Sequence, residues 1–187
     1  MQLYTKVYRS NRKSISLQVT EDHIVVIRAP KWMSDDEIDG FFIEKSGWIE
    51  RQIRMIDERK QKYSELVPLS KSELDALGRQ ALSVIPKKVA HYAKILGVSY
   101  GRITIRNQKT RWGSCSSKGN LNFNCLLMLT PEEVQDYVVV HELCHRREMN
   151  HSPRFWSLVE SVIPDYRRYE AWLKKEGEAI MLRNPNR

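Results

Sequence analysis

The 187-residue sequence is poor in cysteine, with only Cys115, Cys125 and Cys144 and no CxxC pair among them. That excludes a disulfide-stapled scaffold and a four-cysteine zinc module, and it points to reduced thiols in a cytosolic protein. No apolar run approaches the roughly 20 residues that a bilayer-spanning helix needs. The opening Met1-Gln2-Leu3-Tyr4-Thr5-Lys6 has none of the basic-then-apolar layout of a secretory leader, so a cytoplasmic location is expected. Internal repeats and low-complexity tracts are also missing. What remains is a chain with 41% hydrophobic and 29% charged residues, enough for one good core or one core with a small appended lobe.

Acidic residues are scarce in one place only. Segment 71–130 holds ten of the 31 basic residues and just two of the 23 acidic ones, Glu73 and Asp75, and so carries the whole +8 surplus. Such a segment can attract nucleic acid or acidic protein, or simply be a solvated face. It lacks the interleaved aromatics of an RNA- or DNA-binding motif.

Alternation in Ser14–Val19 and the apolar run His23–Ile27 predict strands within residues 1–30, the second ended by Pro30. Ser34 and Glu37 form a capping box for a helix over about 35–60. The stretch Lys60–Ser70, with Pro68, reads as a linker, giving an N-terminal strand–helix lobe over 1–69 and a second domain over 70–187. Ser70 and Glu73 open another helix, which Pro86 should kink or restart and Gly97 should cap. Three strands are expected at Arg102–Arg106, Thr110–Cys115 and Leu121–Leu129, with Gly119 supplying a positive φ in the turn between the last two. Thr130, Pro131 and Glu133 read as the start of a further helix.

That last helix carries the chemistry. Three of the chain's five histidines, His141, His145 and His151, fall within eleven residues. The first two, four apart, share one helix face, and Glu142 lies beside the first. This is the HExxH arrangement of two metal ligands and a general base. A straight helix would carry His151 about 15 Å beyond His141. The chain must therefore stop, expected at Met149-Asn150, and fold back into a helix capped by Ser152. A third ligand can be a His six residues past the second, as His151 is, or a Glu from a following helix, where Glu160 or Glu170 would serve. His151 is the expectation. Three protein ligands leave zinc an open position, the pattern of a catalytic site. Cys144 points about 100° away from His145 and belongs to the core. His23 and His91 read as structural.

The stretches Thr110–Ser117 (TRWGSCSS), Asn120–Asn124, His141–His145 and Asn150–Trp156 together resemble the YgjP-like metallopeptidase family, which is similar to the SprT-like proteins. The likeness spans nearly the whole chain. It implies an α+β zincin fold with a small antiparallel sheet and an active-site helix, Zn2+ on His141, His145 and His151, and Glu142 as catalyst. Against the related metzincins the sequence departs at Glu148, where that group has Gly.

Zincins lay an extended substrate along an edge strand above the metal. Thr110–Cys115 is the candidate for that strand, with Arg111, Trp112 and Gly113 as candidate substrate-binding residues: Gly113 for close backbone approach, Arg111 for an acidic side chain. The other reading makes Trp112 a core anchor and Gly113 a bulge. Spacing alone assigns no Tyr or Arg as oxyanion stabiliser; Tyr166 and Tyr169, on the helix after the third ligand, are the residues to inspect. The expected function is zinc-dependent hydrolysis of peptide bonds in protein or peptide substrates, with no membrane partner and a possible nucleic-acid association through 71–130. The alternatives are a zinc amidase or other hydrolase of small molecules, and a nucleic-acid-associated module with structural zinc.

Overall fold

A computed structural model describes residues 4–185; the strand expectation for residues 1–3 lies outside them. The chain forms two compact units, Met1–Glu65 and Leu66–Arg187. Leu66–Leu69, assigned from sequence to the first lobe, go with the second unit. Leu69 is buried in that unit's core, its N–H donates to Arg183 O at 2.8 Å, and Arg183 Nε donates to Val67 O at 3.2 Å.

The first unit contains β1 (Thr5–Ser10), β2 (Ser16–Val19), β3 (Val25–Pro30), α1 (Asp35–Glu44) and α2 (Ser46–Lys62). The sheet order is β1-β3-β2, with β1 parallel and β2 antiparallel to the central strand. Val25, Ile27 and Ala29 of β3 pack on Ile38, Ile49 and Ile53 of the helices. The capping box of Ser34 and Glu37 is present. The single helix expected over 35–60 is broken at Lys45, next to Ser46-Gly47, two residues of low helix propensity. His23 takes a left-handed φ of 59° in the β2–β3 turn, and its Nε2 lies 2.9 Å from Asp57 Oδ1.

The second unit contains α3 (Lys71–Leu96), β4 (Ile103–Arg106), β5 (Gly113–Cys115), β6 (Leu121–Asn124), a 3-10 turn (Cys125–Leu129), α4 (Glu132–Cys144), α5 (Pro153–Val162), α6 (Tyr166–Lys175) and α7 (Gly177–Leu182). The architecture is α+β. Its sheet, in order β4-β6-β5, is mixed rather than antiparallel throughout: β6 is parallel to β4 and antiparallel to β5. The reason is the route of the chain, which leaves β4, crosses to the far edge as β5 and returns to the centre as β6.

Ser70 with Glu73 caps α3, and Gly97 ends it in the left-handed conformation at φ 62°. Pro86 neither restarts nor ends the helix. The proline deprives Leu82 of its amide partner, but Leu82 is 61% exposed, so water can serve its carbonyl. Gly119 has the expected positive φ of 80°.

The third strand stops at Asn124, five residues early. Asn124 Oδ1 accepts from Leu126 N at 3.1 Å and caps the 3-10 turn, which buries Leu126 and Leu127 together, as an alternating strand could not. Thr130 does not cap α4, because its hydroxyl donates to Leu127 O at 2.8 Å; the helix starts behind Pro131. Lys88 on α3 reaches Glu132 at 2.9 Å and Asp136 at 2.7 Å, fixing α4 against α3. One of the ten cations of 71–130 is thereby committed to holding the helix in place. No helix among the described residues is long and apolar enough to cross a membrane.

Candidate active site

The helix α4 ends sooner than its sequence suggests. Cys144 is its last residue and His145 its C-cap, so the stop comes before Met149-Asn150. One further turn is held by Arg146 N to Leu143 O, Arg147 N to Cys144 O and Glu148 N to Cys144 O, at 2.9–3.0 Å. Arg146 ties this turn down, donating from Nε to Ser99 O at 2.9 Å. It also lies across Gly119, where a Cβ would come within 2.6 Å of the guanidinium carbon. The early stop lets the chain reverse before Ser152, whose hydroxyl accepts from Phe155 N and starts α5.

His151 is thereby returned to the helix it left. The ligand nitrogens of His141, His145 and His151 lie within 4.8 Å of one another, and Nε2 of His151 is 3.0 Å from Nε2 of His141. Tetrahedral zinc with bonds of 2.0–2.1 Å sets its nitrogens about 3.3 Å apart, so the group fits a metal with small side-chain adjustments. Neither Glu160 nor Glu170 joins this group; Glu170 pairs instead with Lys174 at 2.6 Å.

Aim is set by contacts outside the histidines. His145 Nδ1 lies 3.0 Å from Glu148 O, which places the proton on Nδ1 and frees Nε2 for a metal. The ring of fully buried Phe155 floors all three imidazoles, with centroids 4.9, 4.6 and 4.7 Å from His141, His145 and His151. Tyr137 meets His141 edge-on at 5.9 Å. Burial and the two neighbouring histidines push the pKa of His141 down to about 3, and burial lowers that of His145. Neutral imidazoles are the ligand form.

Glu142 is only 6% exposed, and that burial raises its pKa to about 8 against the opposing pull of Arg111. Its side chain lies flat on Gly113 of the edge strand, where a Cβ would come within 2.7 Å of both Glu142 Cγ and Oε1. Arg111, Gly113, Ser114, Cys115 and Met149 join the histidines and Glu142 around an open cleft of about 280 Å3. Of the three residues expected to bind substrate, Arg111 and Gly113 line it and Trp112 does not. The Trp112 indole packs on the core, close enough to Gly177 that a Cβ there would meet it at 3.0 Å. Tyr166 does not line the cleft either; it stacks on Trp156 with ring centroids 5.2 Å apart.

Cys144 is buried and its thiol pushed up to about 12. Cys115 lines the cleft, but burial and the nearby Glu142 raise its pKa, so it stands as a neutral thiol. Sequence reasoning missed Phe155 as the floor, although its place four residues after His151 was a usable signal. It also missed Ser114 and Met149, which carry no signal of their own.

No curated protein matches the chain significantly. Among solved structures it is similar to the metallopeptidase zymogen abylysin of Pyrococcus abyssi, at 26% identity and a TM-score of 0.46 over 50% of this chain and 96% of that one. It is also similar to the zymogen jannalysin of Methanocaldococcus jannaschii, at 21% identity and 0.44 over 49% and 95%. The model of the YgjP-like metallopeptidase domain matches residues 13–81 and 70–176. With that much of its length matched, the chain belongs to the YgjP-like family and is a metal-dependent peptidase.

Proposed function

We propose that this protein is a zinc-dependent peptidase of the cytoplasm, cutting peptide bonds in protein or peptide substrates, with His141, His145 and His151 as the metal ligands and Glu142 as general base. The observation that carries this reading is the convergence of three imidazoles around one point, with Glu142 from the same helix at the foot of an edge strand. Zinc, once bound, supplies Lewis acidity toward water and the scissile carbonyl. Glu142 takes the proton from the attacking water and returns it to the leaving amine. Its buried position against Gly113 holds the carboxylate at the cleft wall and keeps bulk water from solvating it.

An extended peptide pairs with the free side of β5, where backbone hydrogen bonds set its register and Arg111 reaches its side chains. Trp112 fixes the strand from beneath and does not touch substrate. The open cleft beside a sheet edge suits a polypeptide better than a small amide, which calls for a closed pocket. The second unit, from residue 66 or 70 onward, is the catalytic domain in this reading, and the first is an accessory lobe.

Glu142→Gln tests it. The variant is expected to keep its zinc and its melting temperature while losing about 10²–10⁴-fold in turnover of a peptide substrate. Full turnover in a zinc-loaded Glu142→Gln protein would remove Glu142 from the mechanism. Unfolding of the wild type on chelation, with nucleic-acid binding untouched by Glu142→Gln, would instead identify a module built on structural zinc.

A further inference from the structure

Between β4 and β5 the chain passes over the end of β6 in segment 107–112, which carries Lys109 and Arg111, both exposed; Arg106 precedes it at the end of β4. With Ser114 and Asn122 these three cations line a second cleft of about 550 Å3. Arg111 and Ser114 border both this cleft and the histidine cleft, so the two adjoin. Among the described residues Arg106 and Lys109 form no ion pair within 4 Å, unlike Lys88, and Arg111 faces a carboxylate only at longer range, that of Glu142 in the adjoining cleft.

The crossing segment is clamped from beneath. Asn124 Nδ2 donates to both Gln108 O and Arg111 O at 2.9 Å. Asn184 and Asn107 exchange side-chain hydrogen bonds at 2.7 and 3.0 Å, and Asn184 Nδ2 also reaches Gln108 O at 3.2 Å. Asn124 and Asn184 are 0% and 3% exposed. Burying two carboxamides is tolerated only when their polar atoms are used, and here those atoms hold the backbone of a surface crossing. Lys109 and Arg111 on a clamped crossing, with Arg106 beside them and one of the three facing Glu142 only at longer range, are preorganised for an anion next to a candidate catalytic cleft.

Lys109 to Arg111 lie two to four residues before Gly113, which faces Glu142. These residues lie outside β5, so they mark the end of the strand at which a paired peptide meets the cations and not an exact register. We propose that this cleft is a specificity subsite receiving the carboxylate of an Asp or Glu side chain within a few residues of the bond that is cut. The inference rests on the peptidase reading above. Nucleic acid is the weaker occupant, because no aromatic side chain lines the cleft and single strands are held chiefly by stacking.

The test uses three peptides identical except for Glu, Gln or Lys at the varied position, with that position stepped along the chain. Cleavage is measured with zinc-loaded wild type, Lys109→Glu and Arg106→Glu. Binding is measured by fluorescence anisotropy on Glu142→Gln, alone and combined with Lys109→Glu. The wild type is expected to cut the Glu peptide at least about tenfold faster than the Gln peptide at some position within that range. Lys109→Glu should reverse the order in favour of Lys, with zinc content and melting temperature unchanged. The same ranking in wild type and both variants overturns the subsite. If the wild type cuts none of the peptides, the peptidase reading fails, yet anisotropy still decides: a Glu preference lost with Lys109→Glu supports the subsite, and no preference overturns it. A single-stranded oligonucleotide that displaces the Glu peptide at concentrations below the peptide's own dissociation constant assigns the cleft to nucleic acid and overturns the proposal.

Discussion

Gly113→Ala probes the contact on which the proposed mechanism leans most heavily. The new methyl would sit 2.7 Å from Glu142 Cγ and Oε1 and 3.0 Å from Cδ, where ordinary contact begins near 3.4 Å. Because Cγ is among the clashing atoms, turning the carboxylate about its last bond does not relieve the overlap. Either β5 retreats or Glu142 leaves its rotamer, and both displace the carboxylate from the histidines by an amount on the order of 1 Å. Misplacement on that scale costs about 100-fold in rate. Overpacking of this kind destabilises by about 1–3 kcal/mol, roughly 3–12 °C in melting temperature for a domain of this size. The ligands lie on other elements, so zinc content stays that of the wild type. The decisive assay repeats the substitution in the Glu142→Gln background. There the clash with Cγ persists, so the melting temperature should fall again, but the residual turnover should not, because the group being misplaced no longer acts as a base. A Gly113→Ala protein with wild-type turnover and full zinc would refute the idea that Gly113 positions Glu142.

Metal analysis of His151→Ala and Glu170→Ala should find zinc lost in the first and retained in the second, since only His151 stands with the other two imidazoles. The opposite pattern would move the third ligand to α6. Phe155→Ala should destabilise by about 3–5 kcal/mol and weaken zinc binding about 10–100-fold in a chelator competition, because it removes the floor under all three rings. In metal-free protein, two buried groups oppose each other with pH. His141, held near 3 against an ordinary 6.5, takes up its proton more readily unfolded, so its contribution is present above pH 6.5 and lost as pH falls toward 3. Glu142, raised from 4.5 to about 8, takes up its proton more readily folded, so stability falls as pH rises from 4.5 to 8. Thermal melts should therefore show Glu142→Gln stabilising the metal-free protein more at pH 8 than at pH 5. An equal effect at both would mean the carboxyl is not desolvated.

Where one local rule sufficed, the sequence was a reliable guide. Both Ser–Glu capping boxes, the left-handed Gly97 and Gly119, and the Ser152 start of α5 are present, because each is decided by residues within a few positions of one another. The failures come where a residue has more than one local option and burial or exposure decides between them. Thr130 looks like a helix cap, but its hydroxyl is taken by Leu127 O. The Leu121–Leu129 alternation looks like one strand, but the Asn124 side chain turns the backbone at its midpoint. Pro86 looks like a break, yet α3 runs through it, with Leu82, whose carbonyl loses its amide partner, an exposed residue.

The same distinction separates the two halves of the site. His141, Glu142 and His145 are related by helix geometry alone, so their juxtaposition follows from spacing. His151 needed only the inference that the helix reverses, although the helix ends at Cys144, ahead of Met149-Asn150, in a turn held by Arg146 and the Glu148 carbonyl. Arg111 and Gly113, by contrast, come to the histidines from a strand some thirty residues earlier, and which of 111–113 faces the cleft depends on a register that local sequence does not specify. The side-chain period of two then puts Gly113 toward Glu142 and Trp112 toward Gly177, giving adjacent residues opposite tasks. Asn184 was out of reach altogether: nothing near it in sequence reports that its carboxamide holds a crossing 76 residues away. A pattern of residues can thus bring three imidazoles and a carboxyl to one place well before it can say which strand residues wall the cleft beside them.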